Sequence, residues 1–168
     1  MIDFQPFDLQ NKSAYDRFLQ TAEERGCEYS FVSLYLWGRQ KAAFVREHLV
    51  VFSQFNRKSV YLFPVGTGDK KPVLDAIIED ARQRGIPCRF TGLTRDDCGL
   101  LEKLYPGKFR YHFDRDSFDY IYAIDDLAEL KGGKFQRKRN HLNRFRENFP
   151  DHRLEPFSQQ NISAVQAM

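Results

Sequence analysis

The chain has 168 residues, of which 42% are hydrophobic and 29% charged, and its net charge is +3. This length allows one domain of ordinary size, or one domain and the beginning of another, and the composition is that of a globular protein and not of a disordered one. No apolar run approaches the roughly 20 residues that cross a bilayer, and the N-terminus has no signal sequence, so we expect a cytoplasmic protein without a transmembrane segment. A basic face could still bring such a protein to the inner surface of a membrane.

The first part of the sequence predicts one strand followed by two helices. Polar and apolar residues alternate over residues 2–6, which favours a short strand. Asn11 or Ser13 can begin a helix that Gly26 ends, and a second helix runs from Ser30 to Gly38. The apolar positions expected to be buried are Tyr15, Phe18, Leu19 and Ala22 in the first helix and Phe31, Leu34, Tyr35 and Trp37 in the second.

From Lys41 onward the apolar residues alternate instead of recurring at helical spacing. This change predicts strands over residues 42–47, 49–55 and 59–65. The links between them are too short for anything except hairpins, so the three strands should form an antiparallel meander.

A turn that contains Gly66 and Gly68 follows the third of these strands. Pro72 then opens a helix that Gly85 ends, and residues 86–93 have the pattern of a strand. A strand, a helix and a strand at this spacing predict a right-handed crossover, which makes the two strands parallel.

Two aromatic stretches follow a short helix predicted over residues 96–104. The alternating positions are Phe109, Tyr111 and Phe113 in one stretch and Phe118, Tyr120 and Tyr122 in the next, with Asp114, Arg115 and Asp116 between them. The alternation predicts two strands joined by a turn. The fold class expected from the whole order is α/β, with a mixed, mainly antiparallel sheet flanked by helices.

Positive charge is concentrated in residues 131–153, which hold eight basic and two acidic residues and so carry +6, while the rest of the chain sums to −3. Apolar residues recur there at helical intervals, at Phe135, Leu142, Phe145 and Phe149, and are assigned to packing. The basic residues beside them predict an amphipathic helix that binds a polyanion such as tRNA or an anionic lipid head group. The candidate anion-binding residues are Arg137, Lys138, Arg139, Asn140 and Arg144. The alternative is that these charges only keep an exposed helix in solution.

The pattern begins again after Pro150, with a possible strand over residues 153–158 and the opening turns of a helix over residues 161–168. We therefore expect one domain over residues 1–130, a basic linker helix over residues 131–150, and the start of a truncated second domain over residues 151–168.

Four stretches carry a resemblance to a known family. They are residues 31–37, residues 119–122, the loop at residues 130–134, and above all residues 138–145, which read Lys-Arg-Asn-His-Leu-Asn-Arg-Phe. The chain resembles the bacterial DUF2156 family, which is related to the C-terminal domain of phosphatidylglycerol lysyltransferases and is similar in element order to the GNAT acyltransferases. The resemblance spans nearly the whole chain.

The resemblance implies two GNAT-like domains in tandem, as in the Fem aminoacyltransferases that use aminoacyl-tRNA. The chain would then be the N-terminal part of an acyl- or aminoacyl-transferase, its partner would be its own missing C-terminal domain, and the fragment alone would be inactive. The donor implied is acyl-coenzyme A or aminoacyl-tRNA. In GNAT enzymes a glycine turn at the N-terminus of a helix binds the pyrophosphate of coenzyme A, and Gly66, Gly68, Lys70 and Lys71 occupy that position. The alternative is a plain strand-to-helix turn, because the usual GNAT glycine pattern is not met and Pro72 removes one amide donor.

No catalytic residue is assigned from the sequence, because nothing in it places two titratable side chains together. The three cysteines and four histidines have no spacing typical of metal ligands, so no metal site is expected. Two further functions stay open: a non-catalytic module that binds RNA or anionic lipid, and a purely structural domain.

Overall fold

The structure is a computed structural model that describes residues 1–22, 26–37, 39–55, 58–113, 115–118 and 120–167. The chain divides into two compact units, Met1–Ser117 and Phe118–Met168. The first unit holds a five-stranded sheet with the strand order β1-β2-β3-β4-β5. The second unit is helical in its described part.

The centre of the sheet is the predicted antiparallel meander. It consists of β2 (Lys41–Val45), β3 (His48–Phe55) and β4 (Lys58–Gly66), and each strand is hydrogen-bonded antiparallel to the next. The short strand β1 (Gln5–Pro6) pairs antiparallel with β2 at one edge. The alternation of apolar residues and the short links were therefore sufficient to predict this part of the fold.

The crossover to a parallel strand is also confirmed. Helix α3 (Lys71–Gln83) begins next to Pro72, and β5 (Phe90–Thr91) pairs parallel with β4 through Tyr61 and Phe90. Strand β5 has two residues and is shorter than the predicted strand over residues 86–93. The sheet is thus mixed and mainly antiparallel, as expected.

Helices cover both faces of the sheet. Successive residues of β3 point to opposite faces and therefore pack against different helices. Leu49 and Val51 belong to a buried cluster with residues of α1 (Lys12–Leu19) and α2 (Phe31–Leu36). Val50 and Phe52 belong to a second cluster with residues of α3. A third cluster joins β4 and α3 to Leu101 of α4 (Arg95–Leu104).

The predicted burial of α2 is wrong at its C-terminal end. Phe31 and Leu34 are buried, but 36% of Tyr35 and 79% of Trp37 are accessible. The helix ends at Leu36, so Trp37 lies on the turn beyond it and does not continue the buried stripe. Gly38 lies outside the described residues.

The predicted aromatic hairpin over residues 109–122 is also wrong in the part of the chain that the structure describes. No strand forms there; Arg115–Ser117 is a 3₁₀ turn, and Tyr111, Phe113, Phe118, Tyr120 and Tyr122 are exposed. Alternating aromatic residues form a strand only where a neighbouring edge supplies hydrogen bonds, and the two-residue strand β5 offers few. Asp114 and Asp119 lie outside the described residues.

The second unit begins with α5 (Ile124–Glu129), followed by a 3₁₀ turn at Gly133–Phe135 that leads into α6 (Gln136–Asn148). Helix α7 (Ile162–Gln166) confirms the predicted last helix in its described part. The strand expected over residues 153–158 does not form, and Leu154 and Phe157 are exposed with no strand beside them in the described chain. None of the described helices is long and apolar enough to cross a bilayer.

Candidate functional site

The glycine turn between β4 and α3 is shaped by the close approach of another backbone. Gly66 has φ +150°, and a Cβ atom there would lie 2.2 Å from the carbonyl oxygen of Glu47 and 2.8 Å from the Cα of His48. Gly68 has φ +87°, which a residue with a side chain rarely adopts. Gly66 is therefore explained by the way the turn packs on the β2–β3 hairpin, and Gly68 by the backbone conformation of the turn.

The charged groups of this turn already have partners within the chain. The Nζ atom of Lys70 donates to the carbonyl oxygen of Pro64 at 3.1 Å, and Lys71 Nζ forms an ion pair with Asp75 Oδ2 at 2.6 Å. The backbone N–H of Lys71 donates to Asp69 Oδ1 at 2.9 Å, and Pro72 has no N–H to offer. An incoming pyrophosphate would have to replace some of these contacts.

His48 pairs with Gly66 of this turn across the sheet. It was not identified from the sequence as a candidate site residue. Only 1% of the residue is accessible, and neither ring nitrogen has a hydrogen-bond partner in the described part of the chain. Burial lowers the pKa of the imidazole below its ordinary value, and the nearby Lys70 ammonium lowers the pKa further. The sequence pattern assigned His48 to a hairpin link, whereas it is the first residue of β3.

The basic helix α6 uses one of its predicted anion-binding residues to hold the preceding loop. Arg139 Nη1 donates to the carbonyl oxygens of Leu130 and Gly132, the latter at 2.8 Å, and Nη2 donates to Gln136 Oε1 at 2.5 Å. Leu130, the residue after α5, has φ +51°, a left-handed conformation that is uncommon for a residue other than glycine. Arg139 therefore positions the loop, and its guanidinium is largely occupied.

The other predicted anion-binding residues lie on an exposed surface. Arg137, His141 and Arg144 are spaced four and three residues apart, which places them on one face of α6, and all three are exposed. In the described chain no carboxylate pairs with Arg137 or Arg144. We call Arg137, His141 and Arg144 the basic face of α6.

Two further candidates border this face. The ammonium of Lys138 lies 4.9 Å from the centre of the Tyr122 ring, a cation–π contact that leaves the charge at the surface. Asn140 accepts a hydrogen bond from Gln136 at 3.0 Å through its Oδ1 atom, so its amide NH₂ group remains available as a donor.

The apolar residues of α6 form the neighbouring face. Phe135, in the 3₁₀ turn before the helix, is buried as predicted, whereas Leu142 and Phe145 of the helix and Phe149 just after it are 36%, 44% and 57% accessible. Phe145 contacts Phe149 and His152, with ring centres 5.2 and 4.8 Å apart. We call Leu142, Phe145 and Phe149 the apolar face of α6. The side chains of this face remain exposed to solvent in the described chain.

Residues suited to metal binding are not assembled in the described ranges, where no three His, Cys, Asp or Glu side chains come together. The three cysteines are free, and burial raises the pKa of Cys88 to about 11, which makes this thiol a poor nucleophile.

Comparison with known proteins gives one family and two solved structures. The family described as phosphatidylglycerol lysyltransferase, C-terminal, matches residues 19–168. A conserved protein of unknown function from Bacteroides thetaiotaomicron VPI-5482 is 34% identical, with a TM-score of 0.82, over 99% of this chain and 57% of that one. L-PGS from Bacillus licheniformis is 19% identical, with a TM-score of 0.54, over 97% of this chain and 50% of that one, and shows the same fold.

No curated protein matches the sequence. The chain spans little more than half the length of the first of these structures and half the length of the second. Since the family match covers most of the chain, the chain belongs to the family of the phosphatidylglycerol lysyltransferase C-terminal domain.

Proposed function

We propose that the chain is the N-terminal part of an acyl- or aminoacyl-transferase, in which the basic face of α6 binds a phosphate-bearing donor or acceptor. One observation carries this proposal: Arg137 and Arg144 are exposed on one face without a carboxylate partner in the described residues. The family description, which names transfer of a lysyl group to phosphatidylglycerol, supports the reaction class.

The spacing of the basic face favours a ligand with more than one phosphate. Arg144 lies seven positions after Arg137, so their Cα atoms are roughly 10 Å apart along the helix axis. Two guanidinium groups at this spacing can each bind a phosphate oxygen pair, and Lys138 adds a third charge beside them. A polynucleotide such as tRNA can occupy all three.

The donor that we propose is aminoacyl-tRNA or acyl-coenzyme A. For coenzyme A the glycine turn would be the site, and Lys70 and Lys71 would have to exchange their contacts with Pro64 and Asp75 for the pyrophosphate. For tRNA the basic face of α6 needs no such exchange. The rest of the reaction site would come from a further domain, since the two similar structures are longer than this chain.

The test is fluorescence anisotropy of labelled tRNA at low and near-physiological salt. We expect saturable binding, and a variant with Arg137, Lys138 and Arg144 all changed to Gln should bind weakly. Its plot of log affinity against log salt concentration should lose about one unit of slope for each phosphate contact removed.

The matched control changes three exposed lysines of the first unit, Lys58, Lys103 and Lys108, to Gln and so removes the same charge. The proposal fails if this control weakens binding as much as the α6 variant does, or if the wild-type chain does not bind. In the second case a titration with coenzyme A would examine the glycine turn instead.

A second candidate function is a module that binds an anionic membrane surface from the cytoplasmic side. The apolar face of α6 favours it, because exposed aromatic residues beside a basic face are typical of helices that lie in the bilayer interface. Vesicles of phosphatidylglycerol and of phosphatidylcholine distinguish the two functions. Replacing Phe145 and Phe149 by Ala should abolish vesicle binding in this case, yet leave tRNA binding intact.

A further inference from the structure

A cavity of about 220 Å³ lies in the first unit, and its lining residues differ from those of the glycine turn. Its walls come from the N-terminal segment at residues 2–4, from Arg39 just before β2 and Lys41 at its start, from Phe52 and Gln54 of β3, and from Arg84 after α3. Neither the sequence patterns nor the family resemblance pointed to this place. Its lining holds three cations against a single carboxylate, that of Asp3.

Arg84 is held in a fixed position on one wall. Its Nε atom donates to the buried carboxylate of Asp80 at 2.7 Å, and Nη2 donates to the carbonyl oxygen of Ile2 at 2.7 Å. The guanidinium also lies over the rings of Phe4 and Phe52, 5.4 and 5.3 Å from their centres. Nevertheless 27% of the Arg84 side chain is accessible, so further N–H groups of the guanidinium can face the cavity.

The charge balance of the cavity is positive. Asp80 neutralises Arg84, but Arg39 and Lys41 are exposed and pair with no carboxylate in the described part of the chain. The carboxylate of Asp3 opposes them and already accepts a hydrogen bond from Gln5 at 2.9 Å. Because guanidinium and ammonium groups form charge-assisted hydrogen bonds with oxyanions, the cations that line this cavity are suited to a phosphate or carboxylate group.

The volume limits the size of the ligand. Sites for drug-sized molecules have volumes of roughly 300–1,000 Å³, so the volume of this cavity favours a smaller ligand. We propose that it binds a small metabolite with a phosphate or carboxylate group, and that Arg84, Arg39 and Lys41 hold the anion. The stacked rings of Phe4 and Phe52, 5.3 Å apart, form an apolar wall for the remainder of the ligand.

The test is calorimetric titration of the chain with inorganic phosphate and, separately, with succinate, in a buffer that contains neither phosphate nor carboxylate. We expect saturable binding of at least one of them, and the preferred probe identifies the anionic group. Lys41→Gln and Arg39→Gln should each weaken binding about tenfold, because a charge-assisted contact is lost. Both side chains are exposed, so neither variant depends on the folding role of Arg84.

Two controls distinguish binding at this cavity from nonspecific electrostatic binding of the anion and from binding at the basic face of α6. Lys103→Gln removes the same charge from the exposed surface of α4 and should leave binding unchanged. A variant with Lys138 and Arg144 changed to Gln should also bind normally. The inference is overturned if neither probe binds saturably, if Lys103→Gln weakens binding as much as Lys41→Gln, or if the α6 variant loses it.

Discussion

The Tyr61 hydroxyl donates a hydrogen bond of 2.7 Å to the carboxylate of Asp80, which joins the centre of the sheet to α3. The same carboxylate accepts from Arg84 and from the backbone N–H of Ile2, both at 2.7 Å. Burial raises the pKa of Asp80, but the hydrogen bonds from Arg84, Tyr61 and Ile2 outweigh burial and leave this pKa below its ordinary value. A charged group inside the protein thus fixes the N-terminal segment to the core.

Removing this carboxylate should cost much of the stability of the first unit. We expect Asp80→Ala to lower the free energy of unfolding by about 3–5 kcal/mol, because it leaves Tyr61 and Arg84 without their acceptor. Urea denaturation of wild type and variant measures the difference. The control is Asp16→Ala, which breaks an ion pair with Lys12 on the surface and should cost less than about 1 kcal/mol. Equal losses in the two variants would contradict the role of Asp80.

His48 should make the protein less stable in mild acid. Because its pKa is lowered in the folded state, the unfolded chain binds the proton more readily, and stability falls as the pH drops through the unfolded value of about 6.5. Urea denaturation between about pH 7.5 and 5.5 should show this loss, and His48→Leu should reduce the slope. His141→Gln, which removes an exposed histidine of α6, is the control. If the free energy of unfolding changes with pH equally in wild type and in His48→Leu, His48 is not the group responsible for the loss of stability.

Much of the sheet could be predicted from the sequence, and the reasons are physical. The meander follows from alternation and short links, and Pro72 and Gly85 bracket α3 by their effect on the backbone. The aromatic stretch around Tyr120 could not be predicted, because alternation does not show whether a neighbouring strand is present. At the candidate site the sequence identified the basic helix, but it could not separate Arg139, whose acceptors are backbone carbonyls, from Arg144.

The two glycines Gly66 and Gly99 should respond to substitution in opposite directions. Gly66→Ala should lower the free energy of unfolding by about 1–3 kcal/mol or more, because the new Cβ atom meets the backbone of Glu47 at a positive φ. Gly99 lies inside α4, and a Cβ atom added there would meet no atom of another element within 4 Å, so Gly99→Ala should raise the free energy of unfolding by about 0.5–1 kcal/mol. Thermal unfolding of both variants tests this, and a neutral Gly66→Ala would disprove the packing argument.

Arg139 and Arg144 should differ in what their loss affects, although both are basic residues of one helix. Arg139→Gln removes hydrogen bonds to the carbonyl oxygens of Leu130 and Gly132, each worth about 0.5–1.5 kcal/mol net, so the loop between α5 and α6 should open more often. Hydrogen exchange of the amides in residues 130–136 should then become several-fold faster.

Arg144→Gln should leave that exchange unchanged and weaken tRNA binding instead, since Arg144 is exposed and has no carboxylate partner in the described residues. Measuring exchange and tRNA affinity on both variants therefore separates the residue that shapes the site from the residue that binds the ligand. If Arg139→Gln loses affinity with normal exchange in the loop, Arg139 contacts the anion directly, as its sequence position first indicated.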